Sequence, residues 1–404
     1  MGQEAAVIET PRQGTAREVA AAFLKLGLTS FGGPVAHLAY FRKEFVEKRK
    51  WLDDSHFSHL LALCQFLPGP ASSQLGFALG LLRAGWGGAL AAFLMFTLPS
   101  ALLMFAFAVS LPAIAEPLGS AAIHGLKLVA LVVVSQAVLG MTRQLCPDAR
   151  RATIAALAAA LIVVSGQAWM QLVVIAIALL AGMVFCRNVP PLASDELELR
   201  YGRRLGLALI AAFVTLLVGL PLLADALDGR VAIAAAFYRA GALVFGGGHV
   251  VLPLLREAVV APGWLSATDF LAGYGGAQAI PGPMFTLSAY LGARLHEGMG
   301  GPAGALTALC GIFLPGFLLL AGVLPFWGRF TRYRVAAHAV AGANAAVVGI
   351  LGAALYDPVW VSAIERPADV AIAIVGFALL TAWRVSPLLI VAWCVMAAML
   401  SALL

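Results

Sequence analysis

Apolar residues run along this chain in blocks close to bilayer-spanning length, separated by short polar loops. Stretches such as "LMFTLPSALLMFAFAVSL" from Leu94 and "MQLVVIAIALLAGMVF" from Met170 approach the roughly 20 residues that cross a hydrocarbon core. The pattern predicts full spans at 86–110, 117–142, 150–165 and 168–187. A second set follows at 302–326, 335–356, 368–383 and 386–403, and one linker span at 205–224 lies between the sets. Elsewhere the apolar runs are interrupted. "FGGPVAHL" begins at Phe31 and "FGGGHVVL" at Phe245; "QFLPGPASS" begins at Gln65 and "QAIPGPMFT" at Gln278. The segments around them, 18–47, 56–84, 231–259 and 267–296, read as broken elements that enter the membrane and return on the same side.

The two sets of breaks align with each other. "FLKLGLTSFGG" (23–33) matches "FYRAGALVFGG" (237–247), Arg42 falls on Arg256, Trp51 on Trp264, and Gln65 on Gln278. Further on, Lys127 falls opposite Asn344. FGG and PGP recur at nearly equal spacing, which marks a duplicated bundle of the kind that builds secondary transporters. The expected fold is therefore an all-α polytopic membrane protein made of two homologous halves. A tail at 1–16 precedes a first repeat at 17–190. A loop and linker helix at 191–228 then lead to a second repeat at 229–404.

Composition agrees. With 62% hydrophobic and 11% charged residues, the chain carries more apolar surface than a soluble fold can hide. The net charge of +6 reads as membrane topology, not nucleic-acid binding. With the N-terminus in the cytoplasm, only Arg230, Arg256, Arg294 and Arg366 of the 26 Lys and Arg face outward, while Lys25, Lys127 and Arg239 stay within the spans. An odd linker between two sets of four spans turns the second half upside down, as an inverted repeat, and places the C-terminus on the outer side of the membrane. The first 17 residues show no cleavable signal pattern, and the five cysteines are scattered without a CxxC pair.

The three remaining cations suggest the chemistry. A Lys or Arg in the bilayer costs on the order of 3 kcal/mol. No Asp or Glu is expected at their depth, since Glu44 and Glu257 lie near element ends and Glu116 near a loop. A soluble anion is thus expected to supply the counter-charge. The breaks fit that use: Pro34, Pro70 and Pro283 are placed as first helical residues, where a missing N–H costs nothing. A helix that starts in mid-membrane presents free N–H groups and a positive dipole end to an anion, and it must be buried or line a cavity. The glycines and prolines of the breaks are Gly32, Gly33, Pro34, Pro68, Gly69, Pro70, Gly246, Gly247, Pro281, Gly282 and Pro283. Candidate ligands are Lys25, Lys127 and Arg239, the hydroxyls of Ser72, Ser73, Thr286 and Ser288, and the amides of Gln65, Gln278 and Asn344. His37, His249, Glu44 and Glu257 are candidates for carrying a coupled proton. No HExxH, GxSxG or Cys/His cluster points to an enzyme, and no metal or cofactor is implied.

Together, "FGGPVAHL", "RKW" (49–51) and "QFLPGPASSQ" in one half and "FGGGHVVLPLL", "GWLS" and "QAIPGPMFTLSAYLG" in the other resemble the chromate ion transporter (CHR) family in its long two-domain form. The resemblance covers 17–404. It implies export of chromate, a tetrahedral dianion, across the bacterial inner membrane, powered by the proton motive force and conferring chromate resistance. The residues alone specify only a small oxyanion, so sulfate as cargo or a passive anion channel stay open, as does a homo-oligomer. The second copy reads FGGG where the first reads FGGP, so the two half-sites need not be equivalent.

Overall fold

The computed structural model describes residues 14–111, 118–166, 170–188, 199, 201–224, 229–245, 248–296, 298–327 and 334–403. The secondary structure among them is helical. The first half comprises α1 (Ala16–Thr29), α2 (Gly33–Phe41, continued by a π turn at Arg42–Lys48), α3 (Asp54–Phe66), α4 (Ala71–Ser110), α5 (Leu118–Leu145), α6 (Ala149–Ser165) and α7 (Met170–Phe185). α8 (Arg203–Ala224) follows. The same order then recurs as α9 (Gly229–Ala242), α10 (Val251–Val259), α11 (Ala267–Ala277), α12 (Leu287–Arg294), α13 (Gly301–Val323), α14 (Arg334–Ala354, followed by a π turn at Leu355–Trp360), α15 (Pro367–Thr381) and α16 (Pro387–Leu403).

Five of these helices, counting the turns that continue α13 and α14, are long and apolar enough to cross a membrane: Ala71–Ser110, Gly119–Leu145, Arg203–Ala224, Gly301–Phe326 and Val335–Ala363. α7, α15 and α16 are shorter apolar helices. This is a polytopic all-α membrane fold. Leu90, Leu94, Leu98 and Leu102 on α4 are 55%, 40%, 44% and 58% exposed and repeat every four residues, a stripe suited to lipid.

α4 is two helices in one. Ala84 and Gly85 leave helical geometry, Gly85 at φ 65°, so Ala71–Arg83 and Trp86–Ser110 fold against each other. Gly80 and Gly88 meet across that bend so closely that neither has room for a Cβ. Gly292 and Gly304 make the same contact between α12 and α13. Gly27 sits on the carbonyl of Phe96 and Gly241 on that of Ile312, another matched pair. In lipid, helices associate through such close packing of small residues, because lipid tails remove the hydrophobic drive.

The two halves are interleaved. α5 packs between α15 and α16 of the other half, and α14 packs against α6 and α7. Gly125 meets Val395, while Gly342 meets Ala178 and Gly182. Phe77 stacks on Phe317 with ring centroids 4.6 Å apart, and Phe93 meets Phe313 at 5.1 Å, so aromatic rings also join the halves at the centre.

Candidate functional site

Backbone hydrogen bonds bring the breaks together, and they do so twice. The N–H of Gly69, in the first PGP, donates to the carbonyl of Val244 ahead of the second FGG at 2.7 Å. The N–H of Gly282, in the second PGP, donates to the carbonyl of Ser30 ahead of the first FGG at 2.9 Å. Ser30 and Val244 are aligned positions, so each PGP of one half is tied to the FGG turn of the other. Gly69 (φ 126°) and Gly282 (φ 98°) lie in backbone territory that favours glycine. A Cβ on Gly69 would stand 3.0 Å from the Cα of Gly316, and one on Gly282 would stand 2.7 Å from Ser100 Oγ. Both turns thus press on the proline-containing span of the opposite half, the one carrying Pro315 and the other Pro99. Gly33 faces His249 across the same centre; a Cβ there would be 4.0 Å from the ring Nε2.

The two half-sites differ chemically. Around the first FGG turn, His37 is fully buried and its Nε2 lies 3.2 Å from the Ser30 carbonyl. Ser100 Oγ donates to the Thr97 carbonyl. Ser30 Oγ, His37 Nδ1 and Thr97 Oγ1 are buried with no hydrogen-bond partner among the described residues. Such orphaned groups are costly unless a ligand or water meets them. At the aligned positions of the second half stand Val244, Phe313 and Gly316, and Gln74 Nε2 there donates to the carbonyls of Pro68 and Gly316, both at 3.0 Å.

The predicted ligands fare unequally. Ser72 and Ser73 are buried in the first turn of α4, and Ser73 Oγ has no partner among the described residues. Thr286 Oγ1 donates to Pro283 O at 2.8 Å and Ser288 Oγ to Phe285 O at 2.8 Å, so each spends its one donor within its own turn. Gln278 Nε2 reaches Tyr274 O at 3.3 Å, whereas Gln65 is exposed. Asn344 Oδ1 is buried without a partner among the described residues. His249 Nδ1 lies 2.7 Å from the Tyr274 hydroxyl. Pro34 sits in the first turn of α2, Pro70 caps α4, and Pro281 and Pro283 flank Gly282 ahead of α12. Gly246 and Gly247 lie outside the described residues.

One expectation is overturned. Lys25, Lys127 and Arg239 do not lack counter-charges: Lys25 Nζ pairs with Glu44 at 3.3 Å, Arg239 with Glu257 at 2.8 Å, and Lys127 Nζ with Glu365 at 2.9 Å. The first two pairs are counterparts in the two halves, with the cations about half exposed. Contour length along the chain does not show that the π turn after α2, and α10 in the second half, bring Glu44 and Glu257 level with the cations. Lys127 is different. It is largely buried at 10% side-chain exposure, and its partner comes from the loop ahead of α15.

That loop reveals a group the sequence reading missed. His124 Nε2 lies 2.9 Å from Asp369 Oδ1, and its Nδ1 lies 3.5 Å from Glu365 Oε1, the oxygen that also takes Lys127. Asp369 is fully buried, and its Oδ2 accepts the backbone N–H groups of Glu365 and Arg366. The signals were present: His124 and Lys127 are three residues apart on one helical face, and Arg366-Pro367 with Asp369 is a helix start.

A cleft of about 420 Å³ opens where the ends of α6, α10 and α14 meet. Arg256, Glu257, Asp357, Gln171 and Tyr356 are its polar lining, and Arg256 pairs with Asp357 at 3.3 Å. No groups of three or more His, Cys, Asp or Glu arranged to hold a metal ion occur among the described residues.

The comparisons with known proteins agree with this architecture. A family model described as "Chromate transporter" matches residues 17–183 and 231–400, one copy in each half. A "Chromate transport protein" of Pseudomonas aeruginosa is 30% identical over 90% of this chain and 86% of its own length. A "Probable chromate transport protein" of Synechococcus elongatus is 28% identical over 82% of both. An "Uncharacterized transporter" of Methanocaldococcus jannaschii is 24% identical over 76% of this chain and 75% of its own. No solved structure matches. With both copies of the family's domain present, tied break to break at the centre of the bundle, the chain belongs to the chromate transporter family.

Proposed function

We propose that the protein exports chromate across the bacterial inner membrane, driven by the proton motive force, and so confers chromate resistance. The observation that carries this reading is the family match in both halves together with relatives named as chromate transport proteins. The passage lies where the four breaks converge. There the N-terminal turn of α4, with Ser72 and Ser73, and the buried, unpartnered hydroxyls of Ser30 and Thr97 offer donors to a tetrahedral oxyanion. Lys127, buried on α5, acts nearer one end through its pair with Glu365. Lys25 and Arg239 act through their carboxylate partners, holding the broken elements in place.

The halves work as an inverted repeat, and several contacts support it. α14 runs alongside α6 in the same direction, since Gly349 meets Ala155 while Ala353 and Ala354 share the cleft with Val163 and Gly166. α6 turns back from α5 after three residues, so the counterparts α5 and α14 run oppositely. Alternating access then amounts to rocking one set of elements against the other about the shared breaks. In this reading the N-terminus is cytoplasmic, the C-terminus periplasmic, and the loop carrying Glu365 faces the periplasm.

Purified protein in liposomes tests the function directly. Radiolabelled chromate is expected to accumulate when a pH gradient is imposed, and excess sulfate to compete weakly. Uptake that neither saturates nor follows the gradient would mark a passive pathway, and preference for sulfate would reassign the cargo. Lys127→Ala is expected to lower the transport rate by about tenfold or more, because it breaks the pair with Glu365 that joins α5 to the loop ahead of α15. A wild-type rate in that variant would remove the pair from the transport cycle.

A further inference from the structure

Both ring nitrogens of His124 face carboxylate oxygens: Nε2 is 2.9 Å from Asp369 Oδ1, and Nδ1 is 3.5 Å from Glu365 Oε1. Nε2 hydrogen-bonds Asp369 and Nδ1 faces Glu365 at ion-pair distance, so a second ring proton gains a charge contact that the neutral ring lacks. Asp369 is held ionised by geometry, because it accepts two backbone N–H groups on Oδ2 besides the ring on Oδ1. Lys127 Nζ at 2.9 Å from Glu365 keeps that carboxyl below the usual carboxylate range. The arrangement is neutral with His124 charged. Loss of the ring proton leaves one excess negative charge and turns an imidazole lone pair toward a carboxylate.

The partition between halves gives the cluster its consequence. His124 and Lys127 belong to α5, while Glu365 and Asp369 belong to the start of α15. At the corresponding places on the other side stand Ala341 and Asn344 on α14, with Pro147 and Arg151 at the start of α6. No equivalent charge latch exists there, so the cluster stabilises one arrangement of the halves and not its mirror.

We infer that His124, clasped by Asp369 and Glu365 and flanked by Lys127, is the proton-binding site that couples proton movement to anion transport. This inference rests on the proton-driven reading above. It replaces His37 and His249, whose nearest polar partners, a carbonyl and a tyrosine hydroxyl, are neutral. With the ring protonated, the two halves are clasped on the side of the Glu365 loop. When the proton leaves toward the cytoplasm, the clasp repels and the periplasmic side opens, which releases the dianion; a proton bound from the periplasm then restores the clasp. One proton bound per clasped state therefore moves opposite to the exported anion. Other charged groups on elements packed against α5 are engaged elsewhere: Asp269 of α11 with Arg294, and Asp357 of the π turn with Arg256. Arg366 turns to Ser401 of α16, and Cys394 of that helix is buried.

The test compares two assays on the same proteoliposomes: chromate counterflow, which needs no net proton movement, and accumulation driven by a pH gradient. His124→Gln and Asp369→Asn are expected to keep counterflow near the wild-type rate while losing gradient-driven accumulation by about tenfold or more. Glu365 is exposed enough for Glu365→Gln to fold. Removing that negative charge leaves the ring a single carboxylate partner, so gradient-driven accumulation should fall by about threefold while counterflow persists. Gradient-driven accumulation retained by both His124→Gln and Asp369→Asn overturns the assignment. Should neither variant fold, gradient-driven accumulation at the wild-type level in Glu365→Gln does the same. A wild-type protein indifferent to the gradient in the same experiment overturns the proton-driven reading and this site with it, whereas a responsive wild type with responsive variants overturns the site alone.

Discussion

Glu44 and Glu257 occupy corresponding places in the two halves but depend on their cations unequally. Glu44 meets Lys25 at 3.3 Å, Arg49 at 2.8 Å and Lys48 at 3.9 Å, whereas Glu257 pairs with Arg239 at 2.8 Å. Lys25→Ala leaves Glu44 its arginine and should cost less than about 1 kcal/mol, the scale of an exposed pair. Arg239→Ala strands a carboxylate that is only 16% exposed, at a cost of roughly 1–3 kcal/mol. Thermal unfolding in detergent should rank the variants in that order, and equal losses would contradict the difference. The cations were legible in the sequence because charge inside an apolar run stands out. Their partners were not, because a carboxylate near a predicted loop gives no sign that the loop folds inward. The same blindness hid His124 and Asp369, which lie 245 positions apart and meet at 2.9 Å.

At the scale of elements, the breaks were readable in advance and their attachments were not. PGP announces a turn through proline geometry and glycine freedom, and α3, α4, α11 and α12 stop and start around it. That Gly69 would bond Val244, and Gly282 bond Ser30, depends on how the halves interleave, which no local pattern encodes. The two glycines should be close to irreplaceable. Each Ala substitution forces a non-glycine residue into a positive φ, about 1–3 kcal/mol of strain, and drives a Cβ against the opposite half. Gly69→Ala and Gly282→Ala should each abolish transport and sharply reduce folded protein in the membrane. Gly140, within α5, has nothing within 4 Å of a would-be Cβ, so Gly140→Ala should be neutral or stabilise by up to about 1 kcal/mol. Size-exclusion profiles of the three variants would separate the cases. A monodisperse, active Gly69→Ala protein would mean that the turn can relax without glycine.

For the whole molecule, duplication by itself suggests two bundles side by side, each able to stand alone. The contacts argue otherwise. α5 is covered by α15 and α16, α14 by α6 and α7, and each PGP turn rests on the other half's proline-bearing span. Separated from its partner, the first half would leave the small-residue faces at Gly125 and Gly182 unpacked, and Lys127 would lose Glu365 inside the bilayer. α8 belongs with the second half, because Tyr238 donates its hydroxyl to Phe213 O and Gly206 packs on the carbonyl of Gly322. A cut between Val189 and Asp195 therefore divides the chain without opening that contact. Fragments 1–192 and 193–404 expressed singly should be degraded and inactive, since helices in lipid are held by packing that neither fragment completes. Co-expressed, they should assemble and restore transport, because the interface is made of complementary surfaces and not of chain continuity. Stable accumulation of either fragment alone, with activity, would show that the halves are self-sufficient bundles. Failure of the pair to assemble, with both fragments present in the membrane, would show that they interleave only while joined by the linker, so that the order of insertion, and not the final packing, selects this fold.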